Sequence, residues 1–290
     1  MTLIYMDQNI VRNPKTAKDD QNRTSSNPCE SVSSLLISGK VFLLSLFAVV
    51  LIAGCSKSQP ASEQPATAPK AAMISIDPAT AGMISGIVSL KGQPPKMKPL
   101  DMTADPGCPT GPQPAEVVVA NAGKLANVFV YVKEGLPQGT FAVPSEPVVL
   151  DQKGCRYSPH MLGIMAGQPL KITNTDTADH NIHDMPSNNP PFNQSQMPTD
   201  KPVMKKFPNV EMMIPVQCNQ HPWMRAYINV MSHPYFAVSG PDGSFEIKNL
   251  PPGEYTIAAV HERFGEQTMK VKVGPKENAK AAFIYSSSAQ

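Results

Sequence analysis

Cys218-Asn219-Gln220-His221-Pro222-Trp223-Met224-Arg225 is the stretch on which the reading of this chain turns. A thiol, an imidazole and a thioether fall within seven residues, spaced C-x2-H-x2-M, and the run continues into the alternating segment Ala226-Tyr227-Ile228-Asn229-Val230. Alternation of this kind is the signature of a half-buried strand. The Cys therefore stands at the end of one strand and the Met at the start of the next, and the short loop folds the His back towards both. A fourth group comes from upstream, in KITNTDTADHNIHDM (171–185), which reads as a strand, an Asn/Asp/Thr loop and then His180. His183 competes for that place. In an extended strand, positions i and i+3 point to opposite faces, so only one of the two can face the site.

Soft sulfur ligands select copper, and two imidazoles with one thiolate and a weak axial thioether form the arrangement used for electron transfer. Residues 141–234 resemble a cupredoxin of the plastocyanin, pseudoazurin and amicyanin kind. DQKGCRYSPHMLGIMAGQPLKITNTDTADHNI (151–182) has that family's order of strand, aromatic-Ser-Pro turn, strand, Gly, strand, Asn and His-Asn, and the C-x2-H-P-aromatic-M-R loop is closest to amicyanin. The resemblance implies one type 1 copper ion, with His180 and His221 as imidazole ligands, Cys218 as thiolate and Met224 as axial thioether. It also implies that the edge of His221 opens into an apolar surface patch formed by Pro222 and Trp223, through which electrons pass. The chain departs from the family at Val216, where an aromatic is common, and at Asn219 and Gln220, which replace Ser/Thr and Pro. Asn219 can still hydrogen-bond the neighbouring backbone or Asn181. Pro215 favours a bulge or an edge just before the ligand Cys.

Outside this region the pattern is again strand and turn, with no helical period. MISGIVSL (83–90), EVVVA (116–120) and NVFVYVK (127–133) precede it, the last two apolar on both faces as a buried strand would be. GSFEIKNL (243–250), EYTIAAV (254–260) and TMKVKV (268–273) follow, punctuated by Asp242-Gly243 and Pro251-Pro252-Gly253. DGSFEIKNLPPGEYTIAAV (242–260) resembles carboxypeptidase regulatory-like or transthyretin-like sandwiches. Their usual opening strand is matched by SGIVSLKGQPP (85–95). The expected fold is all-β: a Greek-key cupredoxin sandwich at 141–234, inserted into a second small sandwich built from 83–140 with 235–290. Two sandwiches in series, or one larger one, are the alternatives.

The N-terminus carries Val41–Ala53, VFLLSLFAVVLIA, preceded by Lys40. It has signal-peptide length and is short for a membrane span. It runs into Ile52-Ala53-Gly54-Cys55, which resembles the lipobox of bacterial lipoproteins, with Cys55 lipidated and residues 1–54 removed. Residues 55–82 begin with a Ser/Pro/Ala/Gln-rich tether. The protein is thus expected in the periplasm or another extracytoplasmic space, held to a membrane by its lipid. Of five cysteines, Cys29 leaves with the leader and Cys55 takes the lipid. Three remain in an oxidising compartment. With Cys218 claimed by the motif, Cys108 and Cys155 are left to form a disulfide.

Charge adds little: the chain is formally +2, and residues 55–290 hold 20 basic against 19 acidic side chains. With one Trp and no basic run, nucleic-acid binding has no support. No paired His-x-His set, second loop Cys, hydrolase triad or phosphate loop appears, so an enzyme is not expected. The expected role is a monomeric electron carrier between a redox-protein donor and acceptor. The rivals are copper delivery or buffering, and a sandwich binding module without metal. His160 is expected in a turn or at the surface, and His233 and His261 have no pairing partner in sequence. Free-thiol counting on the unfolded, metal-free mature protein, without reductant, should find one thiol; three would overturn the Cys108–Cys155 pairing.

Overall fold

The computed structural model describes residues 72–288. The expected leader 1–54, the lipid-bearing Cys55 and the tether up to residue 71 lie outside the described residues. Among the described residues all regular elements are strands. The first group is β1 (Gly82–Lys91), β2 (Ala120–Asn121), β3 (Lys124–Leu125) and β4 (Phe129–Glu134). A middle group follows: β5 (Val148–Gln152), β6 (Tyr157–Ser158), β7 (Met161–Met165), β8 (Leu170–Asn174), β9 (His180–Asp184), β10 (Phe192–Gln196), β11 (Val203–Lys205), β12 (Glu211–Gln217) and β13 (Arg225–Met231). The last group is β14 (Phe236–Val238), β15 (Ser244–Leu250), β16 (Gly253–His261), β17 (Gly265–Val273) and β18 (Asn278–Ser286).

The first and last groups interleave. β1 takes β18 in parallel along one edge and β15, then β3, antiparallel along the other, with β2 beyond β3. A second sheet runs β14-β4-β16-β17. Alternating side chains from both sheets meet in one core that includes Ile84, Val88, Val130, Ile257 and Phe283. Gly86 is where β1 needs no side chain, because a Cβ there would collide with the Ala281 carbonyl oxygen and lie 2.7 Å from the Phe245 ring. The middle group makes its own two sheets, β10-β9-β12-β13-β7 and β11-β8-β5-β6, over a core that includes Leu150, Leu162, Ile172, Ile214 and Ile228. The whole is the all-β, multi-sheet architecture that the strand pattern implies.

β4 explains why NVFVYVK is apolar on both faces. Val130 and Val132 enter the outer core, while Phe129 and Tyr131 point the other way, against Met161 of β7, Met231 of β13 and Ala258. Met212 and Met213 pack on the same cluster, so these methionines fill an interface. Gly163 of β7 lets the layers meet: a Cβ there would sit 2.6 Å from both Phe129 and Phe236. Three expectations need correction. EVVVA (116–120) is not a strand; only Ala120 pairs, in β2. Arg156 draws this segment towards the middle sheets, through its ion pair with Glu116 at 3.0 Å and its bond to the Pro114 carbonyl at 2.6 Å. Residues 100–113 also leave the outer sandwich. They form a loop closed by backbone bonds between Leu100 and Gln113, and Met102 and Cys108 are buried in the middle core.

His160 is the other correction, because it is buried rather than at the surface. Its Nε2 meets the Glu262 carboxylate, both side chains being under 10 % exposed (5 % and 7 %), and its Nδ1 donates to the Arg225 carbonyl at 2.9 Å. Glu116, Arg156 and Tyr227 stand close by. Burial opposes charge on the imidazole, but the bond to and charge of Glu262, helped by Glu116, raise its pKa overall. Glu262 follows β16 and His160 precedes β7, so this ion pair ties the outer sheets to the middle ones. A raised folded-state pKa stabilises fully below the unfolded imidazole value of about 6.5 and fades as pH climbs through the folded value. Glu262→Gln should therefore destabilise by about 1–3 kcal/mol at pH 5.5, with the gap to the parent shrinking by pH 9. Denaturant unfolding at both pH values reads this; a gap equal at the two would refute the charged pair.

Candidate metal centre

The middle sheets bring four expected residues to one end. β9 begins at His180, β12 ends one residue before Cys218, and β13 begins one residue after Met224. Between them the loop turns tightly: the Met224 N–H donates to the His221 carbonyl at 2.9 Å, and the Cys218 N–H to the Met224 carbonyl at 3.3 Å. The bulge that Pro215 suggested lies just upstream, between Glu211 and Ile214, and Met213 there takes a left-handed φ of 55°. Pro215 itself pairs with Tyr227 of β13, and on the β9 side its carbonyl accepts the Met185 N–H at 3.0 Å; with no N–H to return, it stands where the β9 ladder ends. Asn219 completes the loop as anticipated, its N–H donating to Asn181 Oδ1 at 3.0 Å.

His180, Cys218, His221 and Met224 are all buried, at 0, 3, 2 and 0 % exposure. The Nδ1 atoms of the two histidines lie 3.0 Å apart, and Cys218 Sγ lies 3.6 Å from His221 Nδ1. The ligand atoms of His180, Cys218 and His221 are mutually within 4.8 Å. Cys218 is a free thiol whose sulfur accepts the Asn181 N–H at 3.3 Å. Met224 belongs to the same buried cluster as Cys218. His183 turns outward, bonding Asn219 Oδ1 through its Nδ1 at 3.0 Å.

The outer nitrogens decide the chemistry. His180 Nε2 bonds Asp176 Oδ2 at 2.9 Å, and His221 Nε2 bonds Asp105 Oδ2 at 3.1 Å. Burial lowers the pKa of His180, outweighing the pull of Asp176, and so favours a neutral ring. Asp105 is held below the usual carboxylate range by the Gly107 N–H and by His221. For Asp176 burial works the other way, but hydrogen bonds from the Cys155 N–H, His180 and the Thr177 N–H hold its pKa down. A neutral imidazole has one N–H. In the tautomers that give this proton to Asp176 and to Asp105, both Nδ1 atoms face one another bare beside a thiol. Lone pairs 3.0 Å apart are satisfied by a metal ion or by a shared proton. Donor atoms gathered this closely would hold one metal ion between His180, His221 and Cys218. The donor set thus fits a three-coordinate His₂Cys metal. Carboxylates on the far nitrogens are the partners that orient ligating histidines.

One sequence reading changes here. The edge of His221 does not open to solvent, because the 100–113 loop lies across it: Asp105 caps Nε2 and Cys108 Sγ sits 3.8 Å from it. Pro222 is exposed and Trp223 half-buried, with the indole ring 5.1 Å from the His221 ring and its Nε1 donating to the Cys155 carbonyl. The loop is fixed by the Cys108–Cys155 disulfide, which the structure contains. Asp105 and Asp176 went unnoticed in sequence. Asp176 sits four residues before His180 in the polar loop and could have been found by that spacing, whereas Asp105 is reached only through the disulfide. His233 and His261 are buried with pKa values lowered by burial to about 4, and their Nδ1 atoms accept backbone N–H groups away from the centre.

No protein-family model matches the chain, and no curated protein matches its sequence. Among solved structures, the amicyanin of Paracoccus versutus is similar at 22 % identity, covering 31 % of this chain and 85 % of that one, with a TM-score of 0.27. A purple cupredoxin from Nitrosopumilus maritimus is similar at 23 % identity over 29 % of this chain and 98 % of that one, at a TM-score of 0.25. A Cu-containing nitrite reductase from Thermus scotoductus SA-01 is similar at 20 % identity over 34 % of this chain, at a TM-score of 0.29; the match spans about a quarter, 26 %, of the reductase.

The inward and outward histidines separate cleanly in a titration. His180→Gln should weaken copper binding by more than the roughly 10–100-fold typical of losing an outer partner, and His183→Gln should leave it within about threefold of the parent. A chelator competition measures both; equal losses would mean that His183, not geometry alone, contributes to the centre.

Proposed function

We propose that this protein holds one copper ion as a type 1 centre, ligated by His180, Cys218, His221 and Met224, and carries single electrons between redox proteins outside the cytoplasm. The observation that carries the reading is the pair of Nδ1 atoms 3.0 Å apart beside a buried free thiol, each ring with its Nε2 on a carboxylate. Copper in such a set supplies a reversible one-electron couple. The chain's part is to hold the ligands where they already are. Three strands and a disulfide-bound loop fix them, so gain or loss of an electron would move few atoms. Buried surroundings exclude water, and the thiolate favours copper over harder ions. Trp223, packed on the His221 ring, and exposed Pro222 offer a path from the centre to the surface in place of an exposed imidazole edge.

The same burial favours carriage over delivery. A delivery protein needs an exchangeable ion, and here the loop His is covered by Asp105 and pinned beside a disulfide. The lipobox-like Ile52–Cys55 supports attachment to a membrane by a lipid on Cys55.

The purified 56–290 fragment with added Cu(II) should show an intense blue thiolate-to-copper band that ascorbate bleaches and oxidant restores. Cys218→Ser should lose it. A folded fragment that takes up no copper would leave a β-sandwich binding module as the better reading. Copper bound but lost within minutes to a chelator would instead support delivery.

A further inference from the structure

The loop over His221 is built around one carboxylate. Met102, fully buried in the middle core, anchors it on one side, and the Cys108–Cys155 disulfide anchors it on the other. The Gly107 carbonyl accepts the Thr177 hydroxyl at 3.2 Å, and a Cβ at Gly107 would come to 3.0 Å from the Ala178 Cβ, so the loop lies close on the chain that leads into His180. Asp105 sits between these anchors. Its Oδ1 accepts the Gly107 N–H at 2.7 Å and its Oδ2 lies 3.1 Å from His221 Nε2, within hydrogen-bond reach. Neither oxygen is free to turn away without losing a bond.

Resting on the copper reading above, we propose that Asp105 is a positioning residue for the metal centre, holding His221 in its Nε2–H tautomer so that Nδ1 stays bare towards Cys218 and His180. Asp105 touches no metal; it acts through the imidazole. The ring has two tautomers, and only one presents Nδ1 as a ligand. The thiol does not select it, since Cys218 Sγ at 3.6 Å could accept a proton from Nδ1 as readily as face a metal beside it. The selection comes from outside the ring, from an acceptor that has no hydrogen to offer. An ionised carboxylate is acceptor-only on both oxygens.

That property separates two substitutions that remove the same charge. Asparagine has one acceptor oxygen and one NH₂ group. If its oxygen keeps the Gly107 N–H, its NH₂ must face His221 Nε2, which then becomes the acceptor and moves the proton to Nδ1, the ligand position. Alanine leaves Nε2 to whatever water reaches it and imposes neither tautomer. A merely structural role predicts the reverse order, since asparagine fills the space better.

The experiment uses the full purified protein and has two readouts. ¹⁵N NMR of the metal-free protein at pH 8 should find His221 as the Nε2–H tautomer in the parent, as Nδ1–H in Asp105→Asn and as a mixture in Asp105→Ala. Chelator competition with copper should give parent tightest, Asp105→Ala weaker, and Asp105→Asn weakest, at least about tenfold below the parent. Asp101→Asn, which removes an exposed carboxylate of the same loop and keeps an acceptor for Thr103, should match the parent in both. An Nδ1–H parent, or Asp105→Asn binding copper as well as Asp105→Ala does, would overturn the assignment. A parent with the expected tautomer that takes up no copper would sink the copper reading and leave the orienting role of Asp105 standing.

Discussion

Everything at the centre depends on where two protons sit. The outer nitrogen of each facing imidazole meets a carboxylate, His180 on Asp176 and His221 on Asp105, and an N–H given outward at both leaves the inner nitrogens bare. The inward nitrogens are then two lone pairs 3.0 Å apart in a buried space with a thiol alongside. In a protein interior such a set is costly unless a cation or a proton occupies it. The same arrangement makes the site selective and preformed, because no side chain has to swing to accept an ion. The fold's task is to keep the outward partners in place, and it does so with the two segments joined by the disulfide. Cys108 lies three residues after Asp105, and Cys155 donates its N–H to Asp176.

The disulfide therefore has a place in the site as well as in stability. Cross-linking Cys108 to Cys155 closes a separation of 47 residues and constrains the unfolded chain. It also fixes the loop that covers His221, and Cys155 stands at a left-handed φ of 53° that aims its N–H at Asp176. Such a conformation is uncommon for a side chain other than Gly or Asn. Here the neighbouring Gly154, also at positive φ, eases the turn. The tight turn brings both carboxylates within reach of one small volume, although they lie 71 positions apart in sequence.

Much of this was legible. The ligand loop could be read because its chemistry is local: three donor atoms in seven residues, flanked by strands. The all-β fold followed from alternation, and β4 from a run apolar on both faces, which the structure explains by giving each face its own cluster. What stayed hidden was set by distant contacts. EVVVA carries strand propensity, but Arg156 holds Glu116 and the Pro114 carbonyl off the sheet. His160 looked like a turn residue, yet Glu262, 102 positions away, makes it a buried partner. The cover over His221 was unreadable for the same reason. No local signal marks Asp105; it acquires meaning only once Cys108 is joined to Cys155.

In the proposed electron carrier, that cover bears on how electrons would reach the centre. An imidazole edge at the surface lets a partner dock directly over a ligand. Here that approach ends on Asp105 and the loop behind it, so a partner of the proposed carrier would meet Pro222 and the flank of Trp223 instead. The indole is fixed at both ends, its ring 5.1 Å from His221 and its Nε1 on the Cys155 carbonyl. It cannot rotate without breaking a bond to the disulfide segment. Trp223 is thereby held against the ligand by the same cross-link that holds Asp105. Access to the centre and the orientation of its ligand are consequences of one constraint, and a chain that lost the disulfide would lose control of both together.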